Sequence, residues 1–344
     1  MTLILAIETS CDETAAAVID NGWIVRSNVV ATQATMHARY GGVFPEVASR
    51  MHVETIAPVI HQALQQASVA WADVSAVAVT RGPGLPGSLL VGLNAAKGIA
   101  LGRGLPLLGI NHLEGHVYSH WLKVDDDAVR GNGLSFPLLV LIASGGHTEL
   151  ILMRDHLAYE RLGATLDDAS GEAFDKVARL LGLGYPGGPA IERVAAAGDP
   201  TRFEFAMPKI DAEFAFSFSG IKTAVLRAVQ AYGEADGRGR LPPDAPVADL
   251  AASFQRAVIH QLVEKTVEAA SRFLAREVLL SGGVSANTLL REAMQRHSPV
   301  PVRWPPRWLC TDNAAMIGAA AHYRLAAGQR DGWDLDIAPN LKLT

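Results

Sequence analysis

One pattern occurs twice in this chain, and it limits the possible folds more than any other feature. Leu3 to Asp20 (LILAIETSCDETAAAVID) is an apolar run, a small polar turn and a second apolar run, and Pro137 to Arg154 (PLLVLIASGGHTELILMR) repeats the plan. Each copy reads as two strands around a hydroxyl-bearing turn. Thr9 and Ser144 take matching places roughly 135 residues apart, too long a period for a solenoid and the right length for two similar lobes. A chain of 344 residues, 49% hydrophobic and 19% charged, has the material for two packed cores, which excludes global disorder.

Between and after the two copies, strands alternate with helices. Val74 to Thr80 (VSAVAVT) is an apolar run of strand length, followed by the loop RGPGLPGS and the helix-friendly LLVGLNAAKGIALG. The order recurs where Val278 to Ser281 leads into Gly282-Gly283 and VSANTLLREAMQRH. Upstream, Val247, Leu250, Phe254, Val258, Leu262 and Phe273 recur at roughly helical intervals and predict a long amphipathic helix. The expected class is α/β, with helices packed on sheets. Lys123 to Gly133 (KVDDDAVRGNG) is charged and glycine-bearing and marks a lobe boundary, whereas Tyr232 to Pro246 reads as an exposed loop. The expected division is an N-terminal lobe of residues 1–132 plus 313–344 and a C-terminal lobe of residues 133–312.

Charge and composition set further bounds. Thirty basic and 35 acidic residues leave a net charge of -5, so no bulk field attracts nucleic acid, and such a partner needs a local patch or another subunit. The longest stretches free of charge, such as Gly131 to Thr148, contain paired glycines, Asn, Ser and Pro, and predict no membrane span. The N-terminus lacks the basic region and cleavage site of a signal peptide, and two cysteines, Cys11 and Cys310, suit a reducing compartment; a cytoplasmic location is expected.

Three groups of residues could carry chemistry. In NHLEGH, His112 and His116 stand four apart, so on a helix both imidazoles share a face and could share a metal ion. On spacing alone two ordinary helix histidines are the favoured reading, and a metal would need a further carboxylate from elsewhere. Glu114 is two positions beyond the first histidine, whereas a zincin has its glutamate directly after it, which weakens a metalloprotease reading. Asp312, in LCTDNAAMIGAA, precedes a small-residue helix and could simply cap it. The glycine pairs Gly145-Gly146, Gly187-Gly188 and Gly282-Gly283 could be turns that need positive φ, or places where bare backbone approaches a phosphate. Neither a P-loop motif nor a GxGxxG after a strand is present. Among the carboxylates, Asp12 and Glu13 lie in the first turn, Asp167, Asp168, Glu172 and Asp175 cluster in LDDASGEAFDK, and Asp175 and Glu192 could accept hydrogen bonds from ribose hydroxyls.

IETSCDET, TRGPGLPGSLLVG, NHLEGH, SGGHTEL, DDASGEAFDK, YPGGP, FSFSGIKTA, LSGGVSAN and WLCTDNAAMIG, in this order, resemble the TsaD family of tRNA threonylcarbamoyladenosine biosynthesis, formerly called O-sialoglycoprotein endopeptidases. The resemblance runs from about residue 3 to 325. It implies the actin-like ATPase (ASKHA) superfamily, with two RNase-H-like lobes and a cleft between them. It also implies transfer of a threonylcarbamoyl group from threonylcarbamoyl-AMP to the exocyclic amine of the adenosine 3′ of the anticodon (position 37), in tRNAs reading codons that begin with A, with release of AMP. The family's metal ligands fall on His112, His116 and Asp312, for one divalent ion, Fe²⁺ or Zn²⁺. Its nucleotide contacts fall on Ile142, Ala143, Ser144, Gly145, Gly146, Asp175, Gly188 and Asn287, with Glu192 as a weaker match, and Asp12 is the expected catalytic carboxylate. Bacterial members work with a shorter TsaB-like paralogue and a TsaE-like ATPase, and receive substrate from the synthase TsaC. Phe44 and Ser88 depart from the aliphatic and alanine residues expected there. A small-molecule kinase of the same superfamily is the alternative enzyme; it would need a carboxylate base in the second lobe, where SGGHTEL offers histidine first. A nucleotide-binding scaffold without turnover is the alternative outside enzymes.

Overall fold

The first copy of the repeated pattern folds as β1 (Leu3–Glu8) and β2 (Glu13–Asp20), antiparallel with Leu3 opposite Asp20 and Glu8 opposite Ala15. These and the following features come from a computed structural model that describes residues 1–123, 133–206, 210–233, 241 and 244–344. Most of the expected linker at 123–133 and of the loop at 232–246 lies outside the described residues.

A third strand, β3 (Ile24–Thr32), pairs antiparallel with β2. It lacks a continuous apolar run because it is only partly buried, which is why the sequence pattern does not single it out. After α1 (Ala34–Ala38) and α2 (Pro45–Ala67), the strand-loop-helix reading is realised as β4 (Ala76–Gly82), parallel to β1, then α3 (Pro86–Arg103). The next strand, β5 (Leu107–Asn111), runs parallel to β4 and leads straight into α4 (His112–Tyr118). The first sheet has the order β3-β2-β1-β4-β5.

The second copy gives β6 (Leu138–Ala143) and β7 (Thr148–Asp155), followed by β8 (Ala158–Ala164). Helices α5 (Ser170–Leu180), α6 (Gly187–Ala195), α7 (Ser219–Gln230) and α8 (Val247–Arg272) come next, the last being the expected long helix. Then β9 (Glu277–Ser281) runs parallel to β6, α9 (Thr288–His297) follows, and β10 (Val302–Arg303) runs parallel to β9. Read from its outer strand, this sheet is β8-β7-β6-β9-β10, the same path as the first. The duplication seen in two hairpins therefore extends to five strands. The chain closes with α10 (Arg307–Cys310) and α11 (Ala314–Ala326).

Two compact units result: residues 1–136, 153–159 and 304–344, and residues 137–152 and 160–303. The chain re-enters the first unit at Trp304 and not after Asp312, because β10 ends the second sheet at Arg303. Asp312 thereby shares a unit with His112 and His116.

Inside the first unit, β1 is buried on both faces. Leu3, Leu5 and Ile7 join Leu64 of α2 and Leu93 of α3 in one core. On the opposite face α11 lies so close that a Cβ on Gly318 would meet Ile19 Cγ1 at 2.5 Å and Ala6 Cβ at 3.3 Å. Burial on two faces accounts for the unbroken apolar run LILAI, where a half-exposed strand would alternate. Among the described residues, no helix is long and apolar enough to cross a membrane. Cys11 and Cys310 are not joined in a disulfide.

Candidate functional site

In parallel α/β sheets, ligands collect beyond the carboxyl ends of the strands. In the first sheet these ends carry Glu8 (β1) and Asn111-His112 (β5). Asn111 caps α4, its side-chain carbonyl accepting the Leu113 N–H at 2.8 Å, so His112 occupies the first helical position and His116 the same face one turn on. Helix α4 sits close to α11 because residue 115 is glycine; a Cβ there would meet Ile317 Cδ1 at 2.7 Å. Asn313, not Asp312, caps α11, accepting the Met316 N–H at 3.0 Å. The cap reading open for Asp312 is thus corrected: its neighbour does the capping, and Asp312 turns to the histidines.

His112 Nε2 lies 3.4 Å and His116 Nε2 3.3 Å from Asp312 Oδ1. The three ligand atoms lie within 4.8 Å of one another. Imidazole nitrogens and a carboxylate oxygen so placed suit ligands about 2.1 Å from a shared ion. Behind them, His112 Nδ1 is 3.0 Å from Glu8 Oε2. Glu8 is fixed in turn by Thr80 Oγ1 at 2.6 Å and the Ser10 N–H at 2.5 Å. A carboxylate behind a histidine ligand sets the tautomer and presents the far nitrogen to the ion. The group can therefore hold a metal ion, and Glu8 is the member that sequence reasoning missed. Its signal was a carboxylate ending an otherwise apolar strand.

The electrostatics agree with this donor set. Burial works against charge on His112, yet Asp312 and Glu8 together hold its pKa well above 6.5. Burial alone would raise the Glu8 and Asp312 carboxyls, and the adjacent His112 outweighs it, holding both below the usual carboxylate range. Burial lowers the pKa of His116, the neutral form a metal requires. Next to this group, burial and the charges of Asp12 and Asp312 push the Glu13 carboxyl up to about 10, and the same causes raise the Cys11 thiol. Asp12 is buried there, its carbonyl accepting the Gln33 N–H. Glu114 points elsewhere: it bonds Arg324 Nε at 2.6 Å and accepts from Tyr159 Oη at 2.9 Å.

In the second unit the expected nucleotide residues form a linked set. Ile142 and Ala143 end β6, and Ser144-Gly145-Gly146 turns into β7. A Cβ on Gly282 would meet Ala143 O at 2.4 Å, and one on Gly171 would meet Ser144 O at 2.6 Å, so the loop after β9 and the start of α5 both abut this turn. Asp175 accepts the Gly187 N–H at 2.7 Å, joining α5 to the Gly187-Gly188 turn. Glu192 accepts the Thr288 N–H at 2.8 Å, and Asn287 caps α9 through the Leu290 N–H at 3.1 Å. Of the six glycines in these three pairs only Gly282 has positive φ, so local conformation does not explain them. A Cβ would meet nothing within 4 Å at Gly145, Gly146, Gly188 or Gly283, which leaves bare backbone beside open space.

Known proteins agree with the fold and the motifs. HypF from T. kodakarensis aligns with a TM-score of 0.64 at 16% identity, over 95% of this chain and 48% of that one. Component A of (R)-2-hydroxyglutaryl-CoA dehydratase from Acidaminococcus fermentans aligns with a TM-score of 0.52 at 14% identity, over 95% of this chain and all of that one. The fold is that of the actin-like ATPases. Proteins named tRNA N6-adenosine threonylcarbamoyltransferase from Thermomicrobium roseum and Symbiobacterium thermophilum are 52% and 53% identical, each over 99% of this chain and 97% of the relative. The profile of TsaD, tRNA N6-adenosine threonylcarbamoyltransferase, matches residues 24–319, and the chain belongs to that family.

Proposed function

We propose that this chain transfers the threonylcarbamoyl group of threonylcarbamoyl-AMP to the exocyclic amine of adenosine 37 in tRNAs that read codons beginning with A. The family acts on tRNA, and the chain is a transferase. The new bond joins the adenine N6 to the carbamoyl carbon, the bond from that carbon to the phosphate oxygen breaks, AMP leaves, and N6 gives up a proton. The convergence of His112, His116 and Asp312, backed by Glu8, is the observation that supports the reading most.

An amine is a weak nucleophile, so the protein must align two substrates and offset charge on the carbonyl and the phosphate. His112, His116 and Asp312 would hold one divalent ion, Fe²⁺ or Zn²⁺, which supplies Lewis-acid stabilisation of developing negative charge. Ile142 to Gly146, Gly188 and Asn287 offer backbone and amide groups to the adenylate, and Asp175 and Glu192 are candidates for its ribose. The open space beside four of the paired glycines favours close approach of a phosphate to the backbone. Asp12, beside the metal group, is the candidate to receive the N6 proton. A TsaB-like paralogue and a TsaE-like ATPase complete the system in the cytoplasm, and the acidic net charge of -5 fits tRNA binding shared among subunits.

The kinase alternative is not favoured. A peptidase is disfavoured as well, since Glu114 is committed to Arg324 and Tyr159. The test is to incubate the metal-loaded protein with threonylcarbamoyl-AMP, unmodified tRNA and the two partner proteins, then digest the tRNA for nucleoside mass spectrometry. N6-threonylcarbamoyladenosine is expected, and His112→Ala should abolish it while leaving the fold intact. A folded, metal-loaded protein that yields none would overturn the reading.

A further inference from the structure

A polar cavity of about 200 Å³ lies in the first unit, at the carboxyl ends of β4 and β5. It is smaller than the roughly 300–1,000 Å³ that drug-sized ligands occupy, so it is sized for a small group. The C-terminal segment encloses it. Asp331 bridges to Leu107, the Ala338 N–H bonds to the Arg81 carbonyl, and Asn111 Nδ2 bonds to the Lys342 carbonyl at 3.0 Å. Its floor is Gly109, where a Cβ would collide with Leu335 at 2.8 Å and with Arg81 Cδ at 3.0 Å.

The lining is strongly basic for a chain of net charge -5. Arg81, Arg324, Arg330 and Lys342 contribute cations against one carboxylate, Asp331. Asp331 is already engaged by the Gly109 N–H at 2.7 Å, and Arg324 by Glu114 at 2.6 Å. Arg81 differs from both: its half-buried side chain has no carboxylate or carbonyl partner among the described residues, and its Nε is buried and unbonded. A buried donor left in that state is costly, the more so when charged, and is relieved by an acceptor. A guanidinium fork beside two further cations matches the oxygens of a phosphate.

We propose that this cavity binds a phosphate group, with Arg81 as the anchoring fork and Arg330 and Lys342 closing over it. Its back wall is Asn111, the cap of the helix that carries His112 and His116, so an occupied cavity braces that helix from behind. The phosphate comes from a free monophosphate or from the backbone of a polynucleotide. The assignment does not depend on the transferase reading, because its first readout is binding of orthophosphate.

The full-length protein is titrated with inorganic phosphate by calorimetry at fixed ionic strength, beside Arg81→Met and the double variant Arg330→Ser/Lys342→Ser, whose exposed positions leave the fold undisturbed. Saturable binding by the wild type is expected, weakened at least about tenfold in each variant by the loss of charge-assisted bonds. Absence of saturable binding, or equal binding by the double variant, overturns the proposal whatever the transferase assay reads. A tRNA titration across salt concentrations then identifies the source. A salt slope shallower by about one unit per lost phosphate contact in the double variant assigns the site to a polynucleotide. An unchanged slope with orthophosphate binding lost assigns it to a free monophosphate.

Discussion

At the scale of single residues, the candidate metal group of His112, His116 and Asp312 extends to Glu8 behind His112. Glu8→Gln keeps the shape but removes the charge that directs His112, and metal affinity is expected to fall about 10- to 100-fold, the usual effect of losing such a partner. Equilibrium dialysis against Zn²⁺ measures it, and unchanged affinity would remove Glu8 from the site. The pH dependence has a definite sign. Without metal, His112 holds a proton above its ordinary pKa of 6.5 because Asp312 and Glu8 outweigh its burial. That contribution to stability is fully present below 6.5 and lost as pH rises through the elevated value. A metal ion must displace the same proton, so affinity should rise with pH over this range, with proton release on binding. Calorimetric titrations in buffers of different ionisation enthalpy read the release directly, and proton-independent binding would contradict the assignment.

At the scale of elements, glycines decide which backbones meet. Gly171 opens the way for α5 to touch the Ser144-Gly145 turn, and an added Cβ would meet backbone atoms at 2.6 to 2.9 Å. Gly171→Ala should displace that turn and weaken AMP binding about 10- to 100-fold, while circular dichroism stays that of the native protein. Binding equal to the wild type would separate this turn from the nucleotide. Gly318 performs the corresponding service between α11 and β1–β2, and Gly318→Ala should destabilise the first unit by about 1–3 kcal/mol through overpacking, measured by denaturant unfolding. The motifs located these glycines in sequence, yet most of their reasons were not legible there. Positive φ, the obvious explanation, applies to Gly282 alone among the six glycines of the three candidate nucleotide turns, and the clashes that Gly187, Gly171 and Gly318 avoid involve residues remote or unmarked in sequence.

At the scale of the whole molecule, the metal group joins segments far apart in the chain, since β1, α4 and the approach to α11 all belong to the first unit. Metal at 100 times its Kd should stabilise that unit by about 2.7 kcal/mol. Chelation should accordingly raise amide hydrogen exchange in residues 1–123 and 304–344 and leave residues 160–206 and 244–303 unchanged; a uniform change would mean that the ion is bound elsewhere. The sequence alone determined the duplication, the alternation of strands and helices, the histidine pair and the family, because periodicity and motif order are local or additive along the chain. It left β3 unmarked, since a half-exposed strand carries no continuous apolar signal. Only the tertiary structure decided that Asn313 caps α11 and frees Asp312, that Glu8 stands behind His112, and that Arg81 faces a cavity closed by the chain's own C-terminal segment. The cap turns on which of two adjacent polar side chains faces the helix end, and the other two are contacts between residues distant in sequence, fixed by the packing of sheets and helices; one-dimensional spacing has no counterpart for either.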